Sequence, residues 1–86
     1  MMDKHTEERR MATFGQYLHA MVADSGLSQK RVADAMGTDQ AAVSRLMRDT
    51  NSPSIERARR YAEFLGGKII LIDSRGNEYE LANPKE

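Results

Sequence analysis

The chain has 86 residues, enough for one compact domain and too few for a multidomain arrangement. Hydrophobic residues make up 40% of it and charged residues 30%, a balance typical of globular domains. No apolar run approaches the roughly 18 residues of a membrane span, and residues 1–10 are too charged for a signal peptide. We therefore expect a cytoplasmic protein with no membrane association.

Two further classes of protein are disfavoured by the residue types. The sequence has no Cys and only 2 His, so neither a disulfide framework nor a structural metal is expected. A glycine-rich phosphate loop is absent, and Asp24 and Ser25 follow His19 at spacings that do not converge on one helix face. We expect no catalysis and no cofactor.

The charges balance over the whole chain, with 13 basic and 13 acidic residues, but their distribution is uneven. Residues 29–60 hold seven basic and four acidic residues, a net charge of +3. Residues 61–86 hold three basic and five acidic residues, a net charge of −2. A basic middle of this kind indicates a surface that faces an anion.

The first predicted elements are an arm and a helix. Residues 1–12 are rich in ionisable side chains, and we expect them to form a mobile arm. Thr13 is a plausible N-cap for a helix that begins at Phe14 and ends before Gly26.

The next two helices are short and closely spaced. Ser28 can cap a second helix that ends at Gly37, and Thr38 or Asp39 can cap a third over residues 40–48. Their inward-facing residues are expected to be Val32, Ala33, Met36, Val43, Leu46 and Met47. Three features predict a helix-turn-helix motif. A small residue lies where the axes of the two helices come closest, a glycine lies in the turn, and apolar residues behind the turn anchor it in the core.

A fourth helix is predicted from Ile55 to Leu65, with Ser54 as its N-cap and Gly66-Gly67 as its end. The positions expected to be buried on it are Ile55, Ala58, Ala62 and Leu65. Its run of basic residues is expected to serve solubility or pairing between subunits: Arg57, Arg59 and Arg60.

After the two glycines, the pattern changes to that of a β-hairpin, with strands near residues 68–72 and 78–81 and a turn over residues 73–77. The first strand is apolar on both faces, and an isolated hairpin is only marginally stable. We therefore expect one face to pack on the chain's own helices and the other on a second copy of the hairpin. The predicted dimer interface consists of Ile69, Ile70, Leu71, Ile72, Tyr79 and Leu81.

The sequence also resembles a known family through several blocks: Gly26-Leu27-Ser28-Gln29, Val32-Ala33, Met36-Gly37-Thr38, Gln40-Ala41-Ala42-Val43-Ser44-Arg45-Leu46 and Pro53-Ser54. Over residues 14–65 it resembles the XRE family of lambda-repressor and Cro-like DNA-binding domains. This resemblance implies a mainly α fold, a four- to five-helix lambda-repressor-like domain, here with a C-terminal β-strand or hairpin. The implied organisation is a helix-turn-helix domain at residues 13–66, a dimerisation hairpin at 67–82 and a tail at 83–86.

The resemblance implies that the third helix enters the major groove of double-stranded DNA. Four outward residues of that helix are then the candidate base readers: Gln40, Ala41, Ser44 and Arg45. Five residues around them are candidates for phosphate contact: Gln29, Lys30, Arg31, Arg48 and Asn51. By analogy with the family, Gln29 also braces Gln40.

Two functions follow from this resemblance. The first is a dimeric repressor of its own operon that binds a palindromic operator. The alternative comes from the hairpin, which resembles the C-terminal strand of HipB-type and HigA-type antitoxins. In that alternative, the main partner is a cognate toxin protein.

Overall fold

The computed structural model of the chain describes residues 10–84 as four helices followed by a two-stranded antiparallel sheet. The elements are α1 (Phe14–Ser25), α2 (Gln29–Met36), α3 (Gln40–Met47), α4 (Ile55–Phe64), β1 (Ile70–Ile72) and β2 (Glu78–Glu80). This mainly helical architecture with a C-terminal hairpin confirms the predicted fold class. Most of the predicted arm, residues 1–12, and the end of the predicted tail lie outside the described residues.

The helix ends are set by local signals. The Thr13 hydroxyl accepts a hydrogen bond from the Gln16 backbone N–H at 3.1 Å, and the Gln16 side chain accepts one from the Thr13 N–H at 3.1 Å. This reciprocal capping box begins α1. The predicted N-caps Ser28 and Ser54 likewise accept bonds within the first turns of α2 and α4.

The turn between α2 and α3 has the geometry that a helix-turn-helix motif requires. Gly37 has a φ of 70°, a left-handed conformation that glycine adopts without a steric penalty. The Thr38 N–H donates to the Ala33 carbonyl at 2.9 Å, which closes the end of α2. Of the two N-cap candidates for α3 it is Asp39 that serves, since its carboxylate accepts from the Ala42 N–H at 2.7 Å.

The core lies between α1, α2, α3 and α4. Its buried members are Leu18, Val22, Val32, Ala33, Met36, Val43, Leu46 and Tyr61. The predicted inward faces of α2 and α3 are therefore confirmed, with Met47 half-buried against this cluster. On α4, Ala58 and Ala62 are buried as predicted, and Leu65 is half-buried against the core.

One predicted core position of α4 is wrong, and two buried residues were not expected. Ile55 remains 56% exposed, because the first turn of α4 extends beyond the apolar cluster. Tyr61 is buried instead, and its ring packs edge-on against Phe14 with centroids 6.1 Å apart. The buried positions of α4 thus all lie beyond its first turn.

Arg59 was expected to be a solubility or pairing residue, but its side chain is buried. Its guanidinium forms ion pairs with Glu56 and Glu63, each at 2.5 Å, on the same helix. These carboxylates hold the pKa of Arg59 above its ordinary value. Arg59 therefore pairs within α4, because carboxylates three positions before it and four after it lie on its own face.

The hairpin is formed as predicted, with Leu71 of β1 opposite Tyr79 of β2. Asp73 closes the turn, since its carboxylate accepts from the backbone N–H groups of Arg75 and Asn77 at 2.9 Å. However, the expectation that one face of the hairpin is buried on the chain's own helices is wrong. All three residues of β1 remain 38–44% exposed, so the helices do not cover either face of this strand.

Candidate nucleic-acid interface

Helix α3 presents one face to the core and the opposite face to solvent. Val43 and Leu46 are buried, whereas Gln40 and Ala41 are exposed. The other two predicted base readers, Ser44 and Arg45, are half-buried rather than fully outward. The structure thus brings the four candidates to one side of α3, with Gln40 at its first turn.

Arg45 is held by the loop that follows α3. When the Asn51 amide is oriented so that both its atoms are satisfied, its oxygen accepts from Arg45 Nε at 3.3 Å. The amide nitrogen then donates to the Thr50 carbonyl at 3.2 Å, and the Thr50 N–H donates to the Arg45 carbonyl at 3.0 Å. Asn51 was predicted to contact phosphate, and its contacts here also orient the Arg45 guanidinium.

Ser44 and Arg48 interact with each other one helical turn apart. The Arg48 guanidinium donates to the Ser44 hydroxyl, so this hydroxyl already has a partner within α3. Arg48 itself remains exposed at the end of the helix. This contact places Arg48 beside the predicted base readers.

The beginning of α2 forms a second basic region. Arg31 and Lys30 are exposed, and Gln29 is half-buried. The Lys30 ammonium lies 3.3 Å from the Asp34 carboxylate, but both side chains are more than half exposed, so the pair contributes little stability. No hydrogen bond between the described residues joins Gln29 to Gln40, so the implied bracing contact stays a prediction for the DNA-bound protein.

Within residues 10–84, no group of three His, Asp or Glu side chains is placed to hold a metal ion. None of the helices there is long and apolar enough to cross a membrane.

Two short helices, a tight glycine turn and an outward face on the second helix define a helix-turn-helix DNA-binding domain. The family model described as helix-turn-helix matches residues 18–72, which is more than half of the chain. The chain belongs to this helix-turn-helix family and is a DNA-binding transcription regulator. No curated protein and no solved structure matches it significantly.

Proposed function

We propose that this protein is a cytoplasmic, dimeric repressor that binds an inverted-repeat operator in its own operon. The observation that carries the proposal is the outer face of α3, where Gln40 and Ala41 are exposed while Val43 and Leu46 anchor the helix in the core. Basic residues lie on both sides of this face. Catalysis is not part of the proposal.

The base readers differ in what they can recognise. Arg45 can donate two hydrogen bonds to guanine O6 and N7, and Gln40 can form two with adenine. The bond from Arg45 Nε to Asn51 leaves the terminal nitrogens of the guanidinium free for this purpose. Ala41 offers its methyl group to a thymine methyl, and Ser44 contributes a short polar contact.

The predicted phosphate contacts surround these readers: Gln29, Lys30, Arg31, Arg48 and Asn51. Contacts of this kind set the position of a protein on DNA without reading sequence. They also make affinity fall as salt concentration rises, because bound phosphates release counterions.

The hairpin provides the dimer contact in this proposal. Hydrogen bonds join Leu81 N–H to the Ile69 carbonyl at 2.8 Å and Asp73 N–H to the Asn77 carbonyl at 3.0 Å. Hydrogen-bonded pairs alternate along an antiparallel ladder, so the backbone groups of Ile70 and Ile72 face away from β2. The outer edge of β1 is therefore open for pairing with another strand.

A second copy of β1 fits this edge best in one register. Antiparallel pairing about a twofold axis at Leu71 places Ile70 opposite Ile72 of the other copy, so every contact is apolar. Self-pairing of β2 would instead bring Glu78 and Glu80 of the two copies together, and like charges opposite each other are destabilising. We infer a four-stranded sheet with the two β1 strands at its centre. Ile69, Tyr79 and Leu81 add further side chains to the faces of this sheet.

The antitoxin function remains the second candidate, and the exposed hairpin is the observation that favours it. Ile70, Leu71 and Ile72 leave an apolar strand uncovered, which a toxin protein could cover as well as a second copy could. Co-purification of an untagged neighbouring gene product supports this candidate. Tight operator binding by the protein alone favours the repressor.

Selection of binding sites from random double-stranded DNA tests the proposal. We expect an inverted repeat with half-sites about 34 Å apart, one turn of the duplex, because a twofold dimer presents two α3 helices. Recovery of sequences without a shared motif contradicts the proposal.

A further inference from the structure

The Asn51 amide satisfies its neighbours in one orientation only. In that orientation its oxygen accepts from Arg45 Nε at 3.3 Å, and its nitrogen donates to the Thr50 carbonyl at 3.2 Å. The opposite orientation would set two donors against each other at Arg45 and two acceptors against each other at Thr50. Each end of the amide therefore has its partner within the protein.

The loop that carries Asn51 is tied to the helices. The Thr50 N–H donates to the Arg45 carbonyl at 3.0 Å, which brings the loop back against the end of α3. One position earlier, the Asp49 carboxylate accepts from the Gly15 N–H of α1 at 3.0 Å. Asn51 is thus held in place against a guanidinium that lies six positions earlier in the chain.

The contact restricts how Arg45 can meet DNA. An arginine has five N–H donors in a planar fork, and it can offer either its two terminal nitrogens or Nε with one of them. The bond to Asn51 occupies Nε, so the pair of terminal nitrogens is the one that remains. The same bond limits rotation of the guanidinium before any DNA is bound.

A restricted guanidinium matters more for a base than for a phosphate. Guanine offers O6 and N7 along one edge, so a bidentate contact requires the guanidinium to lie close to the plane of the base. Phosphate contacts carry no sequence information and accept a cation from many directions. Immobilising a long side chain on binding costs about three- to tenfold in affinity, and a side chain that is already held avoids part of this cost.

We propose that Asn51 is a positioning residue that makes Arg45 specific for guanine. This role replaces the phosphate contact that the sequence suggested for Asn51. The effect on specificity rests on the proposed function, whereas the contact between the two side chains in the free protein does not.

Two variants of Asn51 and one matched control test the proposal. Asn51→Ala removes the acceptor for Arg45 Nε. Asn51→Asp keeps an oxygen acceptor but adds a negative charge, which repels phosphate. Ser52→Ala is the control, because Ser52 is the next exposed residue of the same loop. Circular dichroism and urea unfolding verify that all three variants fold.

The first measurement is the ratio of affinities for the selected operator and for a scrambled duplex of the same length at the same salt concentration. We expect Asn51→Ala to lower this ratio about three- to tenfold. Asn51→Asp should weaken binding to both duplexes but keep the ratio, and Ser52→Ala should also keep it. A ratio that is unchanged in Asn51→Ala, with equal losses on both duplexes, overturns the proposal in favour of a phosphate contact.

A double-mutant cycle with Arg45→Ala shows whether Asn51 acts through Arg45. If it does, Asn51→Ala should have no further effect on operator affinity in the Arg45→Ala background. An Asn51→Ala loss of the same size in both backgrounds contradicts a positioning role.

The third measurement needs no DNA. In the NMR spectrum of the free protein, the Arg45 Nε–H should exchange with water more slowly than that of exposed Arg57. This protection should disappear in Asn51→Ala and remain in Asn51→Asp. Equal exchange of the two arginines in the wild type overturns the proposal. A protected Arg45 Nε–H in a protein that selects no operator contradicts the proposed function, and the role in specificity with it, but not the contact.

Discussion

Asp49 joins the end of the reading helix to the beginning of α1 by accepting a hydrogen bond from the Gly15 N–H at 3.0 Å. Its second carboxylate oxygen accepts from the Thr13 hydroxyl at 2.6 Å. Asp49 has a φ of 59°, an uncommon conformation for a residue other than glycine. The carboxylate thus satisfies donors at the start of α1 from a position that follows α3, and it fixes the two helices relative to each other.

Gly15 is the partner that makes this approach possible. A Cβ atom added there would lie 2.6 Å from the Leu46 carbonyl oxygen and 2.7 Å from the Asp49 carboxylate. We expect Gly15→Ala to lower the free energy of unfolding by about 1–3 kcal/mol, because the added methyl overpacks the contact. Urea unfolding followed by circular dichroism measures this change.

A loss of stability in Gly15→Ala would distinguish this position from an ordinary helical one. At an ordinary helical position, alanine is favoured over glycine by roughly 0.5–1 kcal/mol. Exposed Ala20 in the same helix is the matched site, where Ala20→Gly should be destabilising. A Gly15→Ala variant that is as stable as the wild type contradicts the proposed contact.

A second close approach involves Tyr17 and Gly67. The Tyr17 hydroxyl is buried with no hydrogen-bond partner among the described residues, and a Cβ atom on Gly67 would lie 2.6 Å from it. We expect Tyr17→Phe to leave stability unchanged or to raise it, since it removes an unsatisfied polar atom. Gly67→Ala should be destabilising alone and less so when combined with Tyr17→Phe. Strictly additive unfolding free energies in this double-mutant cycle contradict the contact.

The hairpin turn should be sensitive to acid. Hydrogen bonds from the Asn77 side chain and backbone hold the pKa of Asp73 below its ordinary value. A lowered folded pKa means that the turn is stabilised above the pKa of the unfolded chain, about 3.9, and loses this stabilisation as pH falls through the lowered value. The protection factors of the β1 and β2 amides, which are corrected for intrinsic exchange rates, should therefore fall on acidification.

Two variants separate Asp73 from the neighbouring carboxylates. Asp73→Asn should remove most of this pH dependence, because asparagine does not titrate. Glu80→Gln should retain it, since the pair of Glu80 with Lys68 is exposed on both sides. An unchanged pH profile in Asp73→Asn would show that another group controls the turn.

Single cysteines test the register of the proposed dimer, because the chain has no Cys of its own. If the twofold axis passes at Leu71, the two Leu71 Cα atoms lie about 4.5 Å apart, which allows a disulfide. We expect Leu71→Cys to form a covalent dimer under mild oxidation, visible on a non-reducing gel. Tyr79→Cys is the control on the outer strand, about 14 Å from its mate across three strand spacings. Equal cross-linking of both variants contradicts the register.

Local signals made the helices and their ends predictable from sequence. Thr13, Ser28 and Ser54 cap helices through bonds to residues three positions later, and Gly26 and Gly37 end them with left-handed backbone. These interactions span a few residues, so their pattern is visible in the chain itself.

The contacts that sequence reasoning missed depend on tertiary structure. Asp49 and Gly15 are 34 positions apart, and no local pattern pairs them. Ile55 was assigned to the core because it lies at helical spacing from Ala58, but the first turn of α4 projects past the core. Burial of Arg59 left a detectable signal, since Glu56 and Glu63 flank it at helical spacing.

Base reading by Arg45 is the central claim, and binding of one variant to two DNA duplexes tests it most directly. Fluorescence anisotropy would compare the wild type with Arg45→Ala on the selected operator and on a scrambled duplex of the same length and salt concentration. We predict that Arg45→Ala loses about 1–3 kcal/mol of binding free energy on the operator and much less on the scrambled duplex. Equal losses on both duplexes would contradict base reading and assign Arg45 to the phosphate backbone.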